Sequence, residues 1–207
     1  MEQENKQHTP RANKQIIFAI AVVVLLIGGV FFLGRSPERA EQNGQFANTA
    51  LAAKLEELSR SGNSSCSGGF KNSIITMSDE ARLKGSCCSP MSIHRYSEQV
   101  EGLQKFKSIP DQNIAEIPDD PYDISAELAK RLISYYDIKL TPEEQAAYDY
   151  AMLNSSEKGP CCCKCWRWYV YGGLAKFLIQ DHGFTGEQIT EAWNLSDGCG
   201  GDEEHKH

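Results

Sequence analysis

The chain has no Gly-rich phosphate loop, no Gly-x-Ser-x-Gly elbow and no His-Glu-x-x-His pair. The local signatures of nucleotide binding, acyl transfer and helical zinc-hydrolase chemistry are therefore missing, and no catalytic residue is predicted. Cys-x-x-Cys-His is absent, which excludes c-type haem attachment, and so is the doubled Cys-x-x-Cys arrangement of zinc fingers. Positive charge is in deficit, with 21 Lys and Arg against 28 Asp and Glu and a net charge of −7. Nucleic-acid partners call for a basic stripe, so none is expected. No segment alternates apolar and polar residues with a period of two, so no strand is expected either.

The sequence is rich in one thing, cysteine. Of its 8 cysteines, four stand in Pro160-Cys161-Cys162-Cys163-Lys164-Cys165, which runs into Trp166-Arg167-Trp168-Tyr169. The others are Cys66, the adjacent pair Cys87-Cys88, and Cys199. Thiols at this density serve to grip a soft metal ion or to exchange electrons through disulfides.

The compartment bears on which of these applies. Residues 16–33 form an uncharged apolar run, preceded by Lys6, Arg11 and Lys14. With its flanks the run approaches the roughly 20 residues that a helix needs to span a bilayer. The basic excess on its N-terminal side predicts a cytoplasmic N-terminus and an extracytoplasmic remainder. The run exceeds a signal-peptide core, and no small-x-small site follows it, so an uncleaved anchor is favoured. The expected order is a cytoplasmic N-terminus over 1–14, a transmembrane anchor over 15–34, and a linker with a juxtamembrane helix over 35–61. A Cys-rich helical domain over 62–201 and an acidic, His-containing tail over 202–207 complete it.

The expected fold is all-α, a small irregular bundle of five to six helices behind the anchor. Ala47, Leu51, Leu55 and Leu58 follow helical spacing after a polar linker at 35–45. A short helix is predicted from Ser78 to Gly85. A second follows Ser89-Pro90, with Ile93, Tyr96, Val100, Leu103 and Phe106 as its apolar face. Ser125 should cap a helix to about Tyr136. Thr141-Pro142-Glu143-Glu144 and Thr185-Gly186-Glu187-Gln188 read as capping boxes that start two more. Between these lies an apolar helix from Trp168 to Gln180, closed by Gly183. Gly172-Gly173 within it suggests the close approach of another helix.

Cys161 and Cys165, or Cys162 and Cys165, share a face if 161–165 is helical. Cys161, Cys163 and Cys165 share a side if it is extended. Both the cluster and Cys87-Cys88 are expected at helix N-termini, where the helix dipole stabilises thiolate. The predicted metal ligands are therefore Cys161, Cys163, Cys165, Cys87 and Cys88, with Cys162, Cys66 and Cys199 as second choices. Many thiolates and few histidines favour Cu(I) or Zn(II), or a heavier ion such as Hg(II). His94 and His182 read as surface or capping residues before ligands, and Met77 and Met91 as core filling before thioether donors. The alternatives left open are a disulfide scaffold, ordinary for an even cysteine count outside the cytoplasm, and a thiol-disulfide oxidoreductase. The metal reading adds the bound metal ion and an envelope metal-trafficking protein to the candidate partners.

Pro160-Cys161-x-Cys163-x-Cys165 resembles the Pro-Cys-x-Cys-x-Cys signature of bacterial "PCYCGC-motif" lipoproteins. This chain departs from it in carrying Cys162 and Lys164 at the variable positions and in lacking a lipobox cysteine. The resemblance implies an envelope-anchored, thiol-rich module.

Overall fold

The computed structural model describes residues 37–60, 70–86, 92–108 and 114–198. Seven helices and two strands lie among them: α1 (Pro37–Arg60), α2 (Phe70–Ile75), β1 (Arg82–Lys84), α3 (Ile93–Lys107), β2 (Asp123–Ser125), α4 (Ala126–Tyr136), α5 (Pro142–Asn154), α6 (Trp166–His182) and α7 (Gly186–Asn194). The chain divides into two units, Met1–Thr49 and Ala50–His207, and all the packing described here is within the second. Among the described residues no helix is long and apolar enough to cross a membrane. The predicted anchor at 15–34 lies outside them.

The core is organised around α6. Its sequence is mostly apolar with no single polar face, as suits a helix covered on most sides, and Val170, Tyr171, Leu174, Phe177 and Leu178 are all buried. Against it packs α4, whose Ala126, Ala129, Leu132 and Ile133 form a buried stripe at helical spacing. The contact is close because Gly173 has no side chain: a Cβ there would lie 1.9 Å from the Leu132 carbonyl oxygen. The predicted approach at Gly172-Gly173 is thus an α4–α6 crossing.

The helix ends follow the local chemistry. Ser125, Thr141 and Thr185 each accept a backbone N–H as N-cap, and the last two form complete capping boxes with Glu144 and Gln188. Gly183 closes α6 in the left-handed conformation with φ 67°. Helix α3 starts later than predicted, at Ile93 with Ser92 as its N-cap. The expected cap Ser89 and Pro90 lie outside the described residues. Tyr96, Val100, Leu103 and Phe106 are buried as expected, but Ile93 is exposed. Helix α1 begins at Pro37 rather than Phe46, so the predicted linker at 35–45 is largely helical.

Two expectations fail between residues 78 and 125. The helix predicted from Ser78 is instead a turn, closed by the Ala81 amide donating to the Ser78 carbonyl at 3.0 Å, followed by β1. Strand β1 pairs antiparallel with β2, Leu83 opposite Ile124, and both side chains are buried. Arg82 donates to the Asp123 carboxylate across the ladder, and Lys54 of α1 reaches the same group at 2.5 Å. A three-residue strand places one side chain on one face and two on the other, too few for an alternation to be visible in sequence.

Four tyrosines, Tyr96, Tyr122, Tyr148 and Tyr171, have pKa values raised first of all by burial, and for Tyr96 also by the carboxylate of Asp120, which accepts its hydroxyl at 2.6 Å. A pKa raised by folding contributes stability that is complete below the unfolded value, about 10 for a phenol, and declines as pH rises above it. The fold should therefore lose stability steeply above about pH 10. Phenolate absorbance should rise together with loss of helical circular dichroism. Ionisation of all tyrosines near their ordinary value in a chain that stays folded would contradict it.

Candidate metal centre

The cluster is delivered by a loop with little freedom. After α5 the chain turns at Ser155, whose hydroxyl accepts the Gly159 amide at 2.9 Å. Lys158 and Gly159 take positive φ values of 54° and 151°. A side chain at Gly159 would strike the Trp168 ring, 2.9 Å away. Residues 159–165 then continue as irregular bends until α6 begins. Cys165 is the N-cap residue of α6, and its thiol makes no capping bond. The cap position is thus given to a sulfur rather than to a hydroxyl that would satisfy the helix end.

The sulfurs of Cys161, Cys163 and Cys165 all lie within 4.8 Å of one another. Cys161 and Cys165 are fully buried and their sulfurs are 3.7 Å apart, while Cys163 is half-buried. Four extended residues would span roughly 13 Å, so the loop curls to bring 161 back over 165. The odd-numbered residues still share one side, and Lys164 points to solvent with its ammonium 5.8 Å from the Trp168 ring. The Cys161–Cys165 contact is the pair that helical spacing gives, and the group with Cys163 is the one that alternation gives, while the segment itself is neither a helical turn nor extended.

A disulfide has an S–S bond of about 2.05 Å, and the Cys161 and Cys165 sulfurs, 3.7 Å apart, are not bonded to each other. Zn–S bonds of about 2.3 Å place the sulfurs of a tetrahedral site about 3.8 Å apart. The Cys161–Cys165 separation matches that edge, and Cys163 can close on them from the half-buried side. The three cysteines are positioned to hold a metal ion.

The other predicted donors divide in two. Cys66, Cys87, Cys88, Cys199 and Met91 lie outside the described residues. Met77 packs against the core. His94 is exposed on α3, and His182, in the last turn of α6, stacks edge-on to Phe177 at 5.0 Å. Among the described residues neither histidine joins the sulfurs. The start of α3 at Ile93 also removes the premise that Cys87-Cys88 immediately precedes that helix.

One residue escaped the sequence reading. Arg167, in the first turn of α6, is fully buried. Its Nη1 donates to the Pro121 carbonyl at 2.6 Å, and its Nη2 to those of Ser196 at 2.6 Å and Asp197 at 3.3 Å. Among the described residues its Nε has no hydrogen-bond partner. The guanidinium lies 4.7 Å from the ring centre of Tyr122, 5.0 Å from that of Trp166 and 5.1 Å from that of Tyr171. Burial works to lower its pKa. The phenols of Tyr171 and Tyr122 and the sulfurs of Cys161 and Cys165 more than offset this, and the net shift is upward. The available signal was a lone arginine in the aromatic first turn of a mostly apolar helix.

No protein-family model matches the chain, and neither a curated protein nor a solved structure similar to it was found.

Proposed function

We propose that this chain is a membrane-anchored, extracytoplasmic protein that binds a soft metal ion through clustered thiolates, for storage, delivery or detoxification. One observation carries the metal reading: three sulfurs gather within 4.8 Å, two of them fully buried. A disulfide staple needs only two sulfurs in bonding contact. A third thiol held beside a buried pair has no use in a staple, but it completes a three-thiolate ligand set for Zn(II), Cu(I) or Hg(II). The half-exposure of Cys163 leaves a route for the ion. Cys87 and Cys88 remain candidates for further ligands on the sequence argument alone. The anchor at 15–34 and the outward orientation rest on hydropathy and on the basic residues before the run.

A second reading has its own observation. Cys161 and Cys165 touch at 3.7 Å, close enough to form a disulfide after a small movement, as a thiol-disulfide oxidoreductase would require.

Purification of the full-length chain in mild detergent separates the two. Elemental analysis alongside alkylation of accessible thiols should give about one metal ion per chain, with Cys161, Cys163 and Cys165 protected until a chelator removes it. A metal-free chain with Cys161 and Cys165 disulfide-bonded, and reducible near the poise of the envelope, would establish the second reading instead.

A further inference from the structure

The three sulfurs of the cluster differ in access. Cys161 and Cys165 are fully buried, and their sulfurs are 3.7 Å apart. Cys163 is half-buried, and its sulfur lies within 4.8 Å of both. Thiol–disulfide exchange requires that the attacking sulfur reach the disulfide, so its rate depends on access. A dissolved disulfide cannot touch a sulfur that is fully covered. Cys163 is therefore the sulfur of the three that faces both ways, toward solvent and toward the buried pair. Cys162 is also half-buried, but its sulfur does not belong to the group of three.

We propose that Cys163 exchanges with low-molecular-weight disulfides and passes the oxidation inward, so that Cys161 and Cys165 end as a disulfide and the metal ion leaves. The proposal rests on the metal-thiolate reading and adds to it the means of release. Coordination keeps the Cys163 sulfur deprotonated, and thiolate is the nucleophile. Cys163 attacks one sulfur of the external disulfide R–S–S–R, forms Cys163–S–S–R and expels one thiolate RS⁻. A buried thiolate, Cys161 or Cys165, then bonds to the Cys163 sulfur and expels the second RS⁻. The other buried thiolate attacks its buried neighbour, which forms the Cys161–Cys165 bond and returns Cys163 as a thiolate. Two electrons pass from the buried pair to the external disulfide, which leaves as two thiolates. The oxidation settles on Cys161 and Cys165 because a disulfide that includes Cys163 stays open to attack by dissolved thiols, whereas the pair is covered. Two of the three sulfur ligands are then lost, and Cys163 alone does not hold the ion.

The full-length chain in mild detergent, loaded with Cd(II), is treated with glutathione disulfide beside a chromophoric chelator. Wild type should release its Cd(II), and tandem mass spectrometry should find Cys161 joined to Cys165 with Cys163 open to alkylation. Dithiothreitol should restore Cd(II) binding. The rate of oxidation is then compared in the metal-free, reduced chain. Cys163→Ser should form the Cys161–Cys165 disulfide at least about tenfold more slowly than wild type, while Cys162→Ser keeps the wild-type rate. Equal rates in C163S and wild type, Cd(II) retained through oxidation, or a final disulfide that includes Cys163 would overturn the proposal while leaving metal binding intact. A wild-type chain that takes up no Cd(II) would overturn the metal reading, and the proposal with it. If C163S fails to fold, the wild-type chain decides: brief exposure should leave a glutathione adduct on Cys163 before the Cys161–Cys165 disulfide appears, and the absence of that adduct at every time would reject the relay.

Discussion

Cd(II) affinity of the full-length chain should fall by about two orders of magnitude in Cys163→Ser and in Cys165→Ser, and by only a few-fold in Cys162→Ser. The magnitude follows from the loss of a ligand, which should meet or exceed the upper end of the 10- to 100-fold range typical of residues that only support a ligand. The contrast follows from geometry. The sulfurs of Cys161, Cys163 and Cys165 lie within 4.8 Å of one another, and Cys162 is not among them. Serine replaces a soft, readily ionised donor by a hard hydroxyl that holds its proton, so the loss is specific to thiophilic ions. Cys163 is the most informative position, because it is half-buried and a hydroxyl there disturbs the core least. The sulfur-to-cadmium charge-transfer band should diminish in parallel with affinity. Equal losses at positions 162 and 163 would show that the ion is held by the thiols collectively rather than by this triad.

The largest effect on stability is expected from Gly173→Ala. The added methyl would sit 1.9 Å from the Leu132 carbonyl oxygen and 2.7 Å from its carbon. Both are backbone atoms of α4, so no side chain can rotate away and the two helices must separate. Overpacking of this kind costs about 3 kcal/mol. That corresponds to a fall in melting temperature of roughly 6–12 °C for a domain of this size. Gly183→Ala serves as a comparison: a Cβ there meets no atom within 4 Å, and the cost is confined to the left-handed conformation at φ 67°. It should therefore destabilise by only about 1 kcal/mol. Chemical denaturation of the two variants distinguishes the mechanisms. The metal site should feel Gly173→Ala indirectly, because α6 carries Cys165 at its N-cap.

Much of the helical layout was legible because it is written in short-range chemistry. Thr141 and Thr185 with their partners three residues on, Ser125 before α4 and Gly183 after α6 mark helix ends through bonds within one turn. The mostly apolar stretch of α6 marked a long helix, and its glycine pair announced a close crossing. The ladder of β1 and β2 was not legible. It joins residues about 40 positions apart in strands of three residues, and its stability comes from Leu83 and Ile124 entering a core built by other elements. The start of α3 was misplaced because Ser89-Pro90 is a good local signal for a helix start, while Ser92 supplies the cap actually used.

For the site, the sequence alone determined that thiols are concentrated at 161–165 and that a helix follows at once. Whether the local geometry was helical or extended stayed open, and with it which of the sulfurs would share a side. Only the tertiary structure decided that the three sulfurs converge, because that requires the Ser155–Gly159 turn and the Trp168 ring to force the loop back on itself. It alone revealed Arg167 as a buried charge, since the acceptors that hold it, Pro121, Ser196 and Asp197, come from segments on either side in the chain. Composition and local spacing report what each short stretch can do. Which groups hold a buried charge depends on contacts between stretches, and those exist only once the core has packed.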